Sequence, residues 1–200
     1  LRTPLARLRL GVEMGGGDAS TRDGMVADIE EMDRIVGQFL EFARGDEYAA
    51  VDTVDVNDVV GNVVARYQAA GKDIAFVAGN APPLALRVTA LSRLLSNLID
   101  NAFAYGAAPV AIATRAEGNA VVIDVMDRGP GVAPGEAARM KQPFTRSAPS
   151  RSRSDGAAGA GLGLAIVEWV ARLHGGSFDL LPREGGGTIA RATLPIVRPA

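Results

Sequence analysis

Apolar residues recur along the N-terminal stretch at spacings of four and three. Leu1, Leu5, Leu8 and Val12 form one stripe, and Met25, Ile29, Met32, Val36 and Phe39 form another. This is the period of a helix with one buried face. Gly15-Gly16-Gly17-Asp18 separates the two stripes, and Ser20 or Thr21 is placed to cap the second helix, with Asp23 in its first turn. The pattern predicts an antiparallel helical hairpin over 1–45. Two helices cannot cover two such stripes alone, so pairing with a second copy into a four-helix bundle is expected. Packing of the hairpin on the rest of the chain is the simpler alternative.

Residues 46–55 read as a linker, and the pattern over 56–198 then changes to mixed periods. Val59, Val60, Val63 and Val64 give a helix over about 57–70 its buried side. Short strands are predicted at 74–77 and 85–88 around Asn80-Ala81-Pro82-Pro83, then a helix over 89–104. Strands at 110–115 and 120–127 flank the turn Gly118-Asn119. A polar stretch over 128–159 is long enough to be functional. A helix over 162–173 and strands at 177–181 and 188–194 close the chain. The predicted class is α+β: a mostly antiparallel sheet with helices on one face, preceded by the helical hairpin.

Composition narrows the chemistry. Net charge is −2, without the basic footprint of a nucleic-acid binder, so no direct nucleic-acid contact is expected. There is no cysteine and one histidine, His174, which removes thiolate and histidine-cluster metal sites and leaves hard cations on oxygen ligands. No apolar run reaches the roughly 20 residues that span a bilayer, and no signal-peptide pattern is present. Leu1-Arg2-Thr3-Pro4-Leu5 has no initiator methionine and reads as the start of a fragment.

Four clusters carry candidate chemistry. Asn97 and Asn101 lie four apart on a helix, so their amides share a face. An amide oxygen suits Mg²⁺, although two solvated asparagines would look the same. Asp127-Arg128-Gly129-Pro130-Gly131 follows a strand. Its aspartate can accept from an exocyclic amine while Gly129 and Gly131 allow close approach; a plain turn is the alternative. Gly159-Ala160-Gly161-Leu162-Gly163-Leu164 opens a helix, where exposed N–H groups and the helix dipole attract phosphate. It is neither a P-loop nor a Rossmann fingerprint. Gly185-Gly186-Gly187-Thr188 also fits a plain hairpin. In the polar stretch Phe144 can anchor on the core and Arg146 can reach phosphate, with Arg151 and Arg153 as helpers.

The order and spacing of these clusters resemble the GHKL (Bergerat-type) ATPase superfamily and, within it, the sensor histidine kinases. Asn97 to Ala102 resembles the N box, Asp127-x-Gly129-x-Gly131 the G1 box, Phe144 the F box, Gly159 to Leu164 the G2 box, and Gly185 to Thr188 the last glycine box. Leu1 to Leu5 resembles the tail of the H box, and Asp28-Ile29-Glu30-Glu31 with Gln38-Phe39 resembles EnvZ-type osmosensor kinases.

The resemblance implies an ATP and ADP site with Mg²⁺ on Asn101 and Asn97 beside the phosphates. Asp127 would bind the adenine amine, partly through water shared with Thr188, and Tyr105 would pack on the ring. Gly161 and Gly163 would donate to phosphates, and the segment between the G1 and G2 boxes would form a lid. Thr3 would place a hydrolytic water in the phosphatase reaction. It also implies a homodimer through the hairpin, a response-regulator receiver domain as partner, and a cytoplasmic location beneath a bacterial inner membrane reached through upstream segments.

Two departures stand out. The acceptor histidine falls two positions before Leu1, so the chain is expected not to phosphorylate itself, and His174 sits in a helix-to-strand turn. Ala104 occupies a position where many kinases carry Lys or Arg. A docking module without catalysis and another GHKL ATPase are the rival readings. The latter class uses a glutamate base where Asn97 stands.

Overall fold

The computed structural model describes residues 50–133, 135–142 and 162–196. The helical hairpin expected over 1–45, with Thr3, lies outside these residues. The first described element is a three-residue strand, β1 (Asp52–Val54), inside the stretch expected to be a linker. Asp55 then caps helix α1 (Val56–Ala69), its carboxylate accepting from the Asn57 N–H at 2.8 Å. The valines at 56, 59, 60, 63 and 64 form the buried side of α1, as the i, i+3, i+4 spacing requires.

Strands β2 (Ile74–Val77) and β3 (Leu84–Leu86) follow, then helix α2 (Val88–Tyr105). The hairpin of β4 (Val110–Glu117) and β5 (Ala120–Met126) turns at Gly118-Asn119. The polar stretch after β5 contains a short helix, α3 (Glu136–Met140), with no buried residue. Helix α4 (Gly163–Leu173) and strands β6 (Ser177–Pro182) and β7 (Thr188–Pro195) complete the chain.

β1 and β3 pair as a small antiparallel ribbon, and the other strands form one sheet in the order β2-β4-β5-β7-β6. Only β2 and β4 run parallel; every other neighbour is antiparallel. The period-2 alternation sends Val110, Ile112, Val121, Ile123, Val125, Ala192, Leu194 and Phe178 to one face, where each is buried. α2 lies on that face against β4 and β5, with α1 and α4 as its helical neighbours. Leu91, Leu94, Leu95, Leu98 and Ile99 of α2 are fully or almost fully buried, and this fixes which way the opposite side of the helix looks. The α+β reading therefore holds, with helices on one face of a mostly antiparallel sheet.

Candidate functional site

The polar side of α2 is set by the apolar side. With the leucines in the core, Asn97 and Asn101 come out one above the other toward the start of α4. The contact is close: a Cβ placed on Gly163 would stand 3.1 Å from Asn97 Oδ1 and 3.4 Å from Asn101 Nδ2. Gly163, the first residue of α4, is the residue that lets the two helices meet there. Asn97 Nδ2 donates back to the Arg93 carbonyl at 2.9 Å. Asn101 Nδ2 is buried and has no hydrogen-bond partner among the described residues. Buried donors are almost always paired, so an orphan at this spot calls for a partner from water or a ligand.

Among the described residues the start of α4 has no side-chain cap either. Leu162 occupies the N-cap position, buried at 6% exposure, and provides no side-chain hydrogen bond. The first turn carries no acidic residue. First-turn N–H groups and the positive end of a helix dipole suit an anion, and no acidic side chain of that turn competes for them. α2 is held in place from the other side by Tyr67 of α1, whose hydroxyl donates to Asp100 Oδ1 at 2.7 Å and to the Ser96 carbonyl at 3.3 Å. Burial, and then the Asp100 carboxylate, push the Tyr67 pKa up, so the hydroxyl keeps its proton.

A second cluster sits at the C-terminal end of α2. A Cβ on Gly106 would meet Asp127 Cγ at 2.5 Å, so the carboxylate lies directly on the residue that follows Tyr105. Asp127 is 7% exposed and accepts from the Gly129 N–H at 2.7 Å. Among the described residues no arginine or lysine pairs with it. Its own N–H donates to the Thr188 carbonyl at 3.0 Å, and the Arg128 N–H donates to the Ala107 carbonyl at 2.8 Å. Thr188 is buried. Gly131 lies against Gly187, at 3.2 Å from its carbonyl oxygen to an added Cβ. Tyr105 is 38% exposed at the end of α2.

The two clusters belong to one ridge. Asn97, Asn101 and Tyr105 follow at intervals of four along α2, and Asn101 to Gly106 spans about 7 Å at the helical rise. Anion-attracting groups thus lie at one end of the ridge and a buried carboxylate at the other.

Of the residues expected in the site, Asn97, Asn101, Leu162, Gly163 and Leu164 come together, as do Tyr105, Asp127, Gly129, Gly131 and Thr188. Phe144, Arg146, Arg151, Arg153, Gly159 and Gly161 lie outside the described residues. Ala104 is exposed on α2. His174 is structural, as expected: its Nε2 accepts from the Arg87 N–H at 3.0 Å, which leaves Nδ1 to donate to the Val170 carbonyl at 2.9 Å. Gly106 was not singled out from sequence, because only the fold reveals which side chain rests on it. Among the described residues no group of His, Cys, Asp and Glu could hold a metal ion. Any cation here would rely on amide and phosphate oxygens, which suits Mg²⁺. No helix of the described residues is long and apolar enough to cross a membrane.

Comparison with known proteins fits this geometry. Sensor histidine kinase MtrB of Mycobacterium tuberculosis is 35% identical across 99% of this chain, which spans 38% of that protein. The histidine kinase domain of the Escherichia coli osmosensor EnvZ superposes with a TM-score of 0.58 at 29% identity, covering 76% of this chain and 92% of that one. Full-length ShkA in complex with AMPPNP superposes with a TM-score of 0.64 at 26% identity, covering 98% of this chain and 42% of that one. Residues 87–198, more than half of the chain, match the family described as histidine kinase-, DNA gyrase B- and HSP90-like ATPase. They begin just before α2 and extend past β7, so they include both clusters, and the chain belongs to that ATPase family.

Proposed function

We propose that this chain is the cytoplasmic kinase core of a bacterial two-component sensor histidine kinase. It binds Mg-ATP and directs the γ-phosphoryl group to a histidine, leaving ADP; the group then passes to an aspartate on a response-regulator receiver domain. The observation that carries this reading is the Asn101 amide, whose buried nitrogen is unpartnered beside the uncapped start of α4. An unmet donor and a helix N-terminus together favour a phosphate chain. The amide oxygen of the same side chain is the hard ligand that a phosphate-bound cation needs. When bound, Mg²⁺ would offset the charge of the phosphates. AMPPNP in the ShkA neighbour belongs to the same ligand class.

The chain's own residues then divide the work. Asn97 and the first-turn N–H groups of α4 hold phosphate oxygens and stabilise charge as it shifts. Asp127, which also accepts from the Gly129 N–H, accepts from the adenine amine, with Thr188 beside it and Tyr105 at the ring. Phosphoryl transfer needs positioning and charge neutralisation more than covalent help from the protein. His174 has both ring nitrogens engaged, so it is not the acceptor, and incubation with ATP leaves no acid-labile phosphate on this chain. Phe144, Arg146, Gly159 and Gly161 complete the phosphate side. The 1–45 hairpin forms the homodimer and presents Thr3 for the phosphatase reaction. Membrane attachment belongs to upstream segments.

Titration with Mg-ATP tests the reading. Asn101→Ala weakens binding about 30-fold, the worth of a hydrogen bond to a charged group, while far-ultraviolet circular dichroism is unchanged. Equal affinity in both proteins would remove the nucleotide site and leave a docking module.

A further inference from the structure

Two arginines clasp the corner that carries Asp127. β5 ends at Met126, the last residue paired with β7. The Asp127 N–H still reaches Thr188, but its carbonyl lies beyond the ladder, and the half-buried Arg183 donates to it through Nη1 at 2.9 Å. Arg183 arrives from the end of β6. In return Arg128 Nη1 donates to the Glu184 carbonyl at 2.7 Å, with Gly186 O at 3.4 Å. Each side of the corner thus donates to the other's main chain. The glycine hairpin makes this possible: Gly187 has φ +104°, and a Cβ there would lie 2.8 Å from the Asp127 carbonyl carbon.

We infer that Arg183, with Arg128 in support, is a positioning residue for the Asp127 carboxylate, and that the clasp sets the preference for a purine bearing an exocyclic amine. The inference rests on the nucleotide reading above. Its physical basis is how little else holds the carboxylate. The hydrogen bond it accepts comes from Gly129, two residues along the same loop, so it moves with the loop rather than fixing it. Gly106 supports one side of the carboxylate. Without the Arg183 guanidinium the Asp127 carbonyl loses its donor, and the loop can separate from the hairpin. A shift of a few tenths of an ångström weakens a hydrogen bond to the base but leaves phosphate contacts intact.

The test compares Mg-ATP with purine riboside triphosphate, identical except for hydrogen in place of the 6-amino group, on the 200-residue chain. The unsubstituted chain prefers ATP by about tenfold or more, because a site built around the amine is left with an unmet group without it. Arg183→Met lowers ATP affinity about fivefold and affinity for the amine-free nucleotide less than twofold, so the preference collapses. Arg128→Met acts in the same direction and more weakly, because it is more exposed. Equal losses for both nucleotides, or a preference kept in both variants, overturn the inference. If Arg183→Met does not fold by circular dichroism, the ratio in Arg128→Met decides alone. Failure of the nucleotide reading looks different: the unsubstituted chain binds neither ligand.

Discussion

Asp124 and Asp127 stand three residues apart, and both are buried, at 4% and 7% exposure. Their surroundings differ. Asp124 lies within β5 between two strands that each supply an arginine. Arg115 Nη1 donates at 2.7 Å, and Arg191 donates through Nε at 2.7 Å and Nη2 at 2.9 Å. Burial alone would raise its pKa, but the hydrogen bonds from Arg191 and Arg115 outweigh it and hold the carboxyl below its ordinary value. Asp127 lies one residue past the strand and has the Gly129 N–H but no cationic partner among the described residues. A saturated carboxylate ties three strands together. A carboxylate held by main chain alone keeps acceptor capacity for a ligand, and that is the difference between a structural carboxylate and the one proposed for recognition just past the same strand.

Substitution separates the two roles, the largest effect falling on Asp127. Asp127→Asn keeps the shape and reverses half of the hydrogen-bonding capacity. It is expected to weaken Mg-ATP binding about 100-fold, as buried groups left unpaired do, with a melting temperature close to that of the parent. Asp124→Ala should do the reverse: near-parental ATP affinity, with stability lowered by about 2 kcal/mol, a buried-pair loss discounted for the partial exposure of Arg115. For a domain of this size that is a fall of about 6 °C in Tm. The effect carries a pH signature. The folded carboxyl is held below its ordinary value of 3.8. Its contribution is therefore complete above about pH 4 and fades as pH falls through the lower folded value. The melting curves of parent and variant should converge in acid and separate again near neutrality. A constant gap down to pH 2 would mean that packing, not charge, is what Asp124 supplies.

The same contrast explains what the sequence disclosed. Asn97 and Asn101 were legible because a spacing of four on a helix with leucines on its other side leaves one arrangement. Asp127 was legible from the glycines around it. Asp124 was not, since its partners lie 9 and 67 residues away and only strand order brings them together. The Arg128 and Arg183 clasp was hidden for a similar reason, because it joins side chains to main-chain carbonyls, which leave no pattern. Among elements, the valines of α1 and the leucines of α2 declared themselves. β1 did not: its three residues include one that is even partly buried, Val54, so neither period appears. α3, five residues long with none buried, has no apolar face to read, and a long polar stretch concealed it.

On the proposed reading, the asparagine pair and the Asp127 corner are two ends of one nucleotide site. Amide chemical-shift titration with Mg-ATP tests it most directly. Resonances of Asn97, Asn101 and Gly163, and of Gly106, Asp127, Gly129 and Thr188, should shift together along curves with a single Kd. Movement of one group without the other, or two separate Kd values, would contradict it.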